Sequence, residues 1–367
     1  MKKMNFAHIT STGKSLGGWI ATAIAAVALA ACGGSDDPTY ARVVVFGDSL
    51  SDVGTYATPA VKQLGGGKYT INGADSKIWV ELLAERAGAA KPCAAQTGLL
   101  STGPLVTLAA PATTVANCYG YAQGGARVTN PVGPGNQALL GFGNTDGYLG
   151  QLTVPLATQV DRHLAVANNR FSGSELVTVL AGGNDVFMNL GTLSATVAGG
   201  GNANAAATAA VTAMGVAGSE LATLVRTKIV ANGAQRVVVL TLPDISQTPF
   251  GLVQNANTKS LLTNMVVTFN TQLINGLAGV SGLLVVDSYA AGQAIAAAPA
   301  NFGIANATTP ACDARAQLGS LSCTAQTTLV GIDVSKYQYA DSVHPSPLGY
   351  QLIAQSVIER MVAVGWL

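Results

Sequence analysis

The chain contains three histidines, His8, His163 and His344, and only His344 stands where a base could serve a nucleophile. It closes the turn Asp341-Ser342-Val343-His344-Pro345, so a carboxylate lies three residues before it. Asp341 is therefore close enough to hold one imidazole nitrogen and set its tautomer. A hydroxyl for that base to activate is offered by Ser49, in the turn Gly47-Asp48-Ser49 directly after the apolar run Val43-Val44-Val45-Phe46. Two other places supply hydrogen-bond donors. A substrate can approach the backbone amides of Gly124-Gly125 closely, and Asn184, in Gly182-Gly183-Asn184-Asp185, brings two side-chain N–H groups. A nucleophile, a base, an orienting carboxylate and donors for an oxyanion are the parts that acyl-ester chemistry through a covalent intermediate needs. His8 lies in a leader segment and His163 within a predicted helix away from any strand end. No His/Cys spacing suggests a metal, and no cofactor is expected.

These groups must be brought together by the elements that carry them. Apolar runs rich in β-branched residues predict strands at 43–46, 115–121, 176–181, 236–241 and 283–287. Helical spacing falls at 77–87, 151–166, 203–230, 257–278 and 348–364, between or after those runs. Five apolar strands alternating with helices imply an α/β domain, its parallel sheet covered on both faces through right-handed crossovers. In such a sheet ligands bind outside the carboxyl ends of the strands, which is where Ser49, Gly124-Gly125 and Asn184 would meet. The Gly-, Pro-, Ala- and Thr-rich stretches 88–114, 127–150 and 296–330 read as surface inserts, expected to frame an acyl pocket.

The first residues read as export machinery. Lys2, Lys3 and Lys14 precede an Ala-rich apolar run from Gly17 to Ala31, too short for the roughly 20 residues of a spanning helix. Leu29-Ala30-Ala31-Cys32 resembles a bacterial lipobox, which implies a lipidated Cys32. The expected organisation is a signal peptide over 1–31, a lipidated tether over 32–39 and one domain over 40–367. Gly33 after the cysteine gives no signal for inner-membrane retention, so anchoring to the outer membrane is expected. Gly13-Lys14-Ser15-Leu16-Gly17 fits a G-x-S-x-G pattern, but no strand precedes it and it belongs to the leader. Cys93, Cys118, Cys312 and Cys323 remain, and an exported chain with four cysteines predicts two disulfides. Of the three pairings, Cys93–Cys118 with Cys312–Cys323 would staple two loop-rich inserts. Hydrophobic residues make up 49% of the 367 and charged residues only 10%, which excludes a disordered chain. Without the three leader lysines, 16 basic residues face 18 acidic ones, so no nucleic-acid partner is expected.

Taken together, the motifs resemble those of the GDSL, or SGNH, hydrolases. Phe46-Gly47-Asp48-Ser49-Leu50-Ser51-Asp52 looks like the G-D-S-L block, Tyr121-Ala122-Gln123-Gly124-Gly125-Ala126 the second block and Gly182-Gly183-Asn184-Asp185 the G-x-N-D block. Asp341-Ser342-Val343-His344-Pro345 is similar to the final D-x-x-H-P. The resemblance implies a flavodoxin-like three-layer α/β/α fold with a five-stranded parallel sheet. It further implies Ser49 as nucleophile and oxyanion donor, Asn184 as donor, His344 as base and Asp341 as its partner. The glycine donor is Gly125 by spacing within its block, with Gly124 the alternative. Tyr121 stands where the second block usually has Asn. Asp52 and Asp185 match family positions and read as turn-stabilising, and Thr241-Leu242-Pro243-Asp244 as structural. The length resembles the long GDSL lipases and lecithinase-like esterases. Some of those carry a carboxyl-terminal membrane barrel, which is not expected here.

The function implied is a monomeric, lipid-anchored carboxylic-ester hydrolase acting on lipid or on aryl and short-chain acyl esters. An acyltransferase on the same triad, or a surface-binding lipoprotein on a retired hydrolase fold, are the alternatives.

Overall fold

The computed structural model describes residues 40–367. The leader, the lipobox with Cys32, the tether, His8 and the G-x-S-x-G segment lie outside the described residues. In chain order the elements are β1 (Arg42–Gly47), α1 (Pro59–Gln63), α2 (Trp79–Arg86), β2 (Gln96–Leu99), β3 (Ala110–Thr114), α3 (Leu156–Val166), β4 (Glu175–Leu180) and α4 (Gly183–Ala198). There follow α5 (Ala203–Leu224), β5 (Arg236–Leu240), α6 (Pro249–Leu252), α7 (Ala256–Leu277), β6 (Leu283–Val286), α8 (Ser288–Ala297) and α9 (Pro347–Ala363).

The central sheet is parallel with strand order β1-β4-β5-β6. β1 and β4 bury nearly every residue, as strands covered on both faces must. On one side α2 packs against α9; on the other α4, α5 and α7 pack against one another and α3 meets the helical turn Val225–Val230 that follows α5. The sheet between these two helical layers gives the α/β class expected from the alternation of apolar runs.

The sheet has four strands where five were expected. The predicted strand at 115–121 pairs with β1 at a single position, Gly120 opposite Val45, held by bonds from Val45 N–H to Tyr119 O (2.9 Å) and from Tyr121 N–H to Val45 O (2.8 Å). Asn117 takes a left-handed φ of 59°, and Cys118 is disulfide-bonded to Cys93. On its other side Gly120 pairs with Ala94, so turn and staple leave one residue in register. Both disulfides follow the local pairing, Cys93–Cys118 and Cys312–Cys323.

Two other elements differ from expectation. The helix predicted from 151 begins only after Pro155, which presets φ but has no N–H to donate. The insert at 88–114 contains an antiparallel hairpin, β2 with β3, whose Leu99 is buried in a small cluster with Tyr56, Val61, Tyr69 and Leu321.

Candidate active site

The carboxyl ends of β1 and β4 deliver the two inner halves of the site. β1 ends at Gly47, where φ is 151° and a Cβ would fall 2.2 Å from the Leu180 carbonyl oxygen of β4. Only glycine permits that approach. The Gln159 side chain of α3 then grips Gly47 from both sides, accepting from its N–H (2.9 Å) and donating to its carbonyl (2.8 Å). Ser49 sits in the turn that follows, 8% exposed. β4 leads through Gly182, at φ 113°, into α4, so Asn184 occupies the first turn of a helix. Its Nδ2 donates one bond to Ala126 O at 2.8 Å, which sets the side chain beside the glycine pair and leaves its second N–H outside that bond.

Asp341 and His344 arrive from the other end of the chain. The Asp341 carboxylate accepts from the backbone N–H groups of Val343 (2.9 Å) and His344 (2.8 Å), which closes the turn before α9. Ser346, not Asp341, caps that helix, accepting from Gly349 N–H. In this turn His344 Nδ1 lies 2.8 Å from Asp341 Oδ2, and His344 Nε2 lies 2.9 Å from Ser49 Oγ. The side chains remain partly accessible, 16% for His344 and 22% for Asp341. Burial pushes the Asp341 carboxyl up, but His344 beside it and the donated N–H bonds outweigh that and hold it well below the usual carboxylate range.

The two glycines are distinguished by their amides. Gly124 N–H donates to Asp52 Oδ2 at 2.9 Å and is thereby occupied. Among the described residues, the N–H groups of Gly125 and Ser49 have no hydrogen-bond partner. Gly125 adopts φ 79°, and a Cβ there would lie 2.5 Å from Pro134 O. Asp52 and Asp185, read from sequence as local turn-stabilisers, do more than that. Asp52 also accepts from Gly54 (2.9 Å) and Thr55 (2.7 Å), tying the serine turn to the glycine block. Asp185 accepts from Val128 N–H (3.0 Å) and pairs with Arg127 (2.8 Å), tying α4 to the same block. Burial raises Asp48 to about 7 and Asp52 to about 6.

With this geometry in place, comparison of the sequence with known families matches it to the family described as GDSL-like Lipase/Acylhydrolase, over residues 43–357. The chain belongs to the GDSL-like lipase/acylhydrolase family. Membership makes it a hydrolase of the acyl-ester type, with small-molecule esters as substrates. No curated protein matches the chain.

Two contacts of this GDSL site were not foreseen from sequence. The Tyr69 ring packs on His344, centroids 4.8 Å apart. Ser320 N–H donates to Asp341 Oδ2 at 3.1 Å. Neither leaves a motif, since one is a tyrosine in an irregular loop and the other a backbone amide. His163, set aside as a base, is fully buried in an aromatic box, and neither of its ring nitrogens bonds to a site residue.

A cavity of about 360 Å³ adjoins the site. Leu50 and Val343, neighbours of Ser49 and His344, line it together with Leu252, Ile295, Leu352 and Ile353. Of the three inserts expected to frame a pocket, only the third contributes, through residues 296–308; the others do not line it, and the ends of β4 and β5 with α8 and α9 form its other walls.

Proposed function

We propose that the protein is a serine carboxylic-ester hydrolase working through an acyl-enzyme. The carrying observation is the unbroken relay Ser49 Oγ, His344 Nε2, His344 Nδ1, Asp341 Oδ2, with links of 2.9 and 2.8 Å. Ser49 Oγ attacks the ester carbonyl while His344 Nε2 takes its proton, and Asp341 stabilises the imidazolium that results. The oxyanion is received by the Ser49 and Gly125 N–H groups and by Asn184 Nδ2, in a site whose donors are fixed before reaction. Collapse of the tetrahedral intermediate breaks the ester C–O bond, and His344 returns its proton to the leaving alcohol. Water, deprotonated by the same histidine, then releases the acid from Ser49.

The adjoining cavity is apolar and falls in the size range of small-molecule sites. A methylene occupies slightly less than the ~30 Å³ of a water molecule, so the cavity suits an acyl chain of roughly a dozen carbons. We propose that chain as the acyl group, and Cys32 as the lipid anchor on the evidence of the lipobox. Hydrolysis of p-nitrophenyl esters from acetate to palmitate, by the wild type and by Ser49→Ala, tests the reading. Turnover with a mid-length optimum that vanishes in the variant is expected; equal rates in both would remove Ser49 from the mechanism.

A further inference from the structure

Two supports of the His344–Asp341 pair come from loops distant in sequence. The loop at 68–72 carries Tyr69, whose ring lies against the imidazole, and the turn at 319–323 carries the Ser320 amide that binds Asp341 Oδ2. Asn72 joins these two loops. Its Oδ1 accepts from Lys68 N–H at 3.0 Å, closing its own loop. Its Nδ2 faces four carbonyl oxygens: Lys68 at 2.9 Å, Thr70 at 3.1 Å, Ser320 at 3.0 Å and Cys323 at 3.1 Å. Its backbone N–H donates to Cys323 O at 2.7 Å.

We propose that Asn72 is a positioning residue for the catalytic pair, its amide clasping the loop that steadies the imidazole to the turn that steadies the carboxylate. The proposal rests on the triad reading above. The side chain is 8% exposed, so its bonds are not readily exchanged for water. Gly67 N–H to Leu321 O (2.9 Å) runs beside the clasp, and Leu321 packs with Tyr56 and Tyr69. The Cys312–Cys323 disulfide fixes the end of the turn that Asn72 grips. Only a planar amide fills this position. Its one acceptor meets one N–H while two hydrogens are shared among four carbonyls. Aspartate has the same shape but would point a second oxygen at those carbonyls, and alanine would leave the two loops joined by backbone bonds and the Leu321 packing alone.

The role matters during turnover. When His344 takes the serine proton, the imidazolium must stay in register with both Ser49 Oγ and Asp341 Oδ2. A displacement of either loop by a fraction of an ångström lengthens one link of the relay while leaving the acyl cavity intact.

Asn72→Ala, Asn72→Asp and Ser320→Pro, which removes the Ser320 N–H donated to Asp341 Oδ2, test the proposal in the full chain. Functional sites are counted with a fluorophosphonate probe, and kcat per labelled site and KM are measured on a p-nitrophenyl ester. The downfield proton resonance of His344 Nδ1–H is followed in the same samples. The expected result is a fall in kcat per site of about 10–100-fold in the Asn72 variants. KM should stay within about twofold, the resonance should shift or broaden, and Ser320→Pro should move in the same direction. Wild-type kcat per site with an unchanged resonance would overturn the clasp. So would a loss that only tracks the folded fraction and disappears on cooling. If the wild type itself takes no label on Ser49, the triad reading fails, and the clasp with it.

Discussion

Replacing His163 by phenylalanine should make the protein more resistant to acid while leaving ester hydrolysis intact. His163 is enclosed by Phe46, Tyr119, Tyr121 and Phe171, and neither ring nitrogen has a hydrogen-bond partner. The charged groups around it are Glu175, 4.0 Å from Nε2, and Arg42. Burial, helped by Arg42, lowers the imidazole from 6.5 to about 4. Between those values the unfolded chain binds a proton that the native chain refuses, so stability falls as pH falls through that window. At 1.36 kcal/mol per pH unit the drop is worth about 3 kcal/mol, fully retained above pH 6.5 and lost below pH 4. Asp48 and Asp52 work in the opposite sense. Raised to about 7 and about 6, they take up protons in the native state first, and so favour folding as pH falls from 7 towards 4. The wild-type profile sums these with other shifted carboxyls, among them Glu175 and Asp185 raised by burial and Asp341 lowered by His344, and the difference between wild type and His163→Phe isolates the histidine. Urea unfolding from pH 4 to 7.5 should show that difference widening by about 3 kcal/mol towards pH 4. At neutral pH the variant should gain about 1 kcal/mol, since two unpartnered buried nitrogens disappear. Parallel curves would refute this account of His163. Loss of hydrolysis at pH 7 would put His163 into the chemistry and displace His344.

Two further substitutions probe the site. Asn184→Ala should lower kcat about 10²–10³-fold with little change in KM, since its amide is assigned to the oxyanion and not to ground-state binding; steady-state kinetics would show it, and a near-wild-type kcat would remove Asn184 from the hole. Asp341→Asn should cost up to about 10⁴-fold, because the amide cannot serve His344 Nδ1–H and still accept from Ser320, Val343 and His344 N–H groups; a loss under tenfold would show that the imidazole keeps its tautomer without a carboxylate.

The parts of this site that were legible in the sequence are those at strand ends and in the short turn from Asp341 to His344 before α9. Val43 to Phe46 and Leu176 to Leu180 are buried on both faces, so their apolar character marks them, and the polar residues that interrupt them mark the sheet edge. What was hidden has identifiable causes. Helix α4 begins Gly183-Asn184-Asp185, three poor helix formers that read as a loop; Asp185 instead serves as an acidic first-turn residue anchored to Arg127. The fifth strand shrank to one pair because a left-handed Asn117 and a disulfide bend it away, and neither is visible in hydrophobic pattern. The hairpin β2–β3 lacks alternation and is held through the buried Leu99 and long-range contacts. The supports of the Ser49–His344–Asp341 relay, Tyr69, Asn72 and the Ser320 amide, meet across some 250 residues of sequence (248 from Asn72 to Ser320), and what the turn at 319–323 contributes to Asn72 and Asp341 is backbone atoms that every residue carries. No local pattern could separate them from their neighbours.

The central claim is that Ser49 becomes acylated. Reaction of the intact protein with a fluorophosphonate, followed by mass measurement and peptide mapping, tests it most directly. The account expects one adduct per chain, on Ser49, absent in Ser49→Ala and slowed in His344→Ala. Ester turnover with no adduct, or an adduct on a different serine, would contradict it.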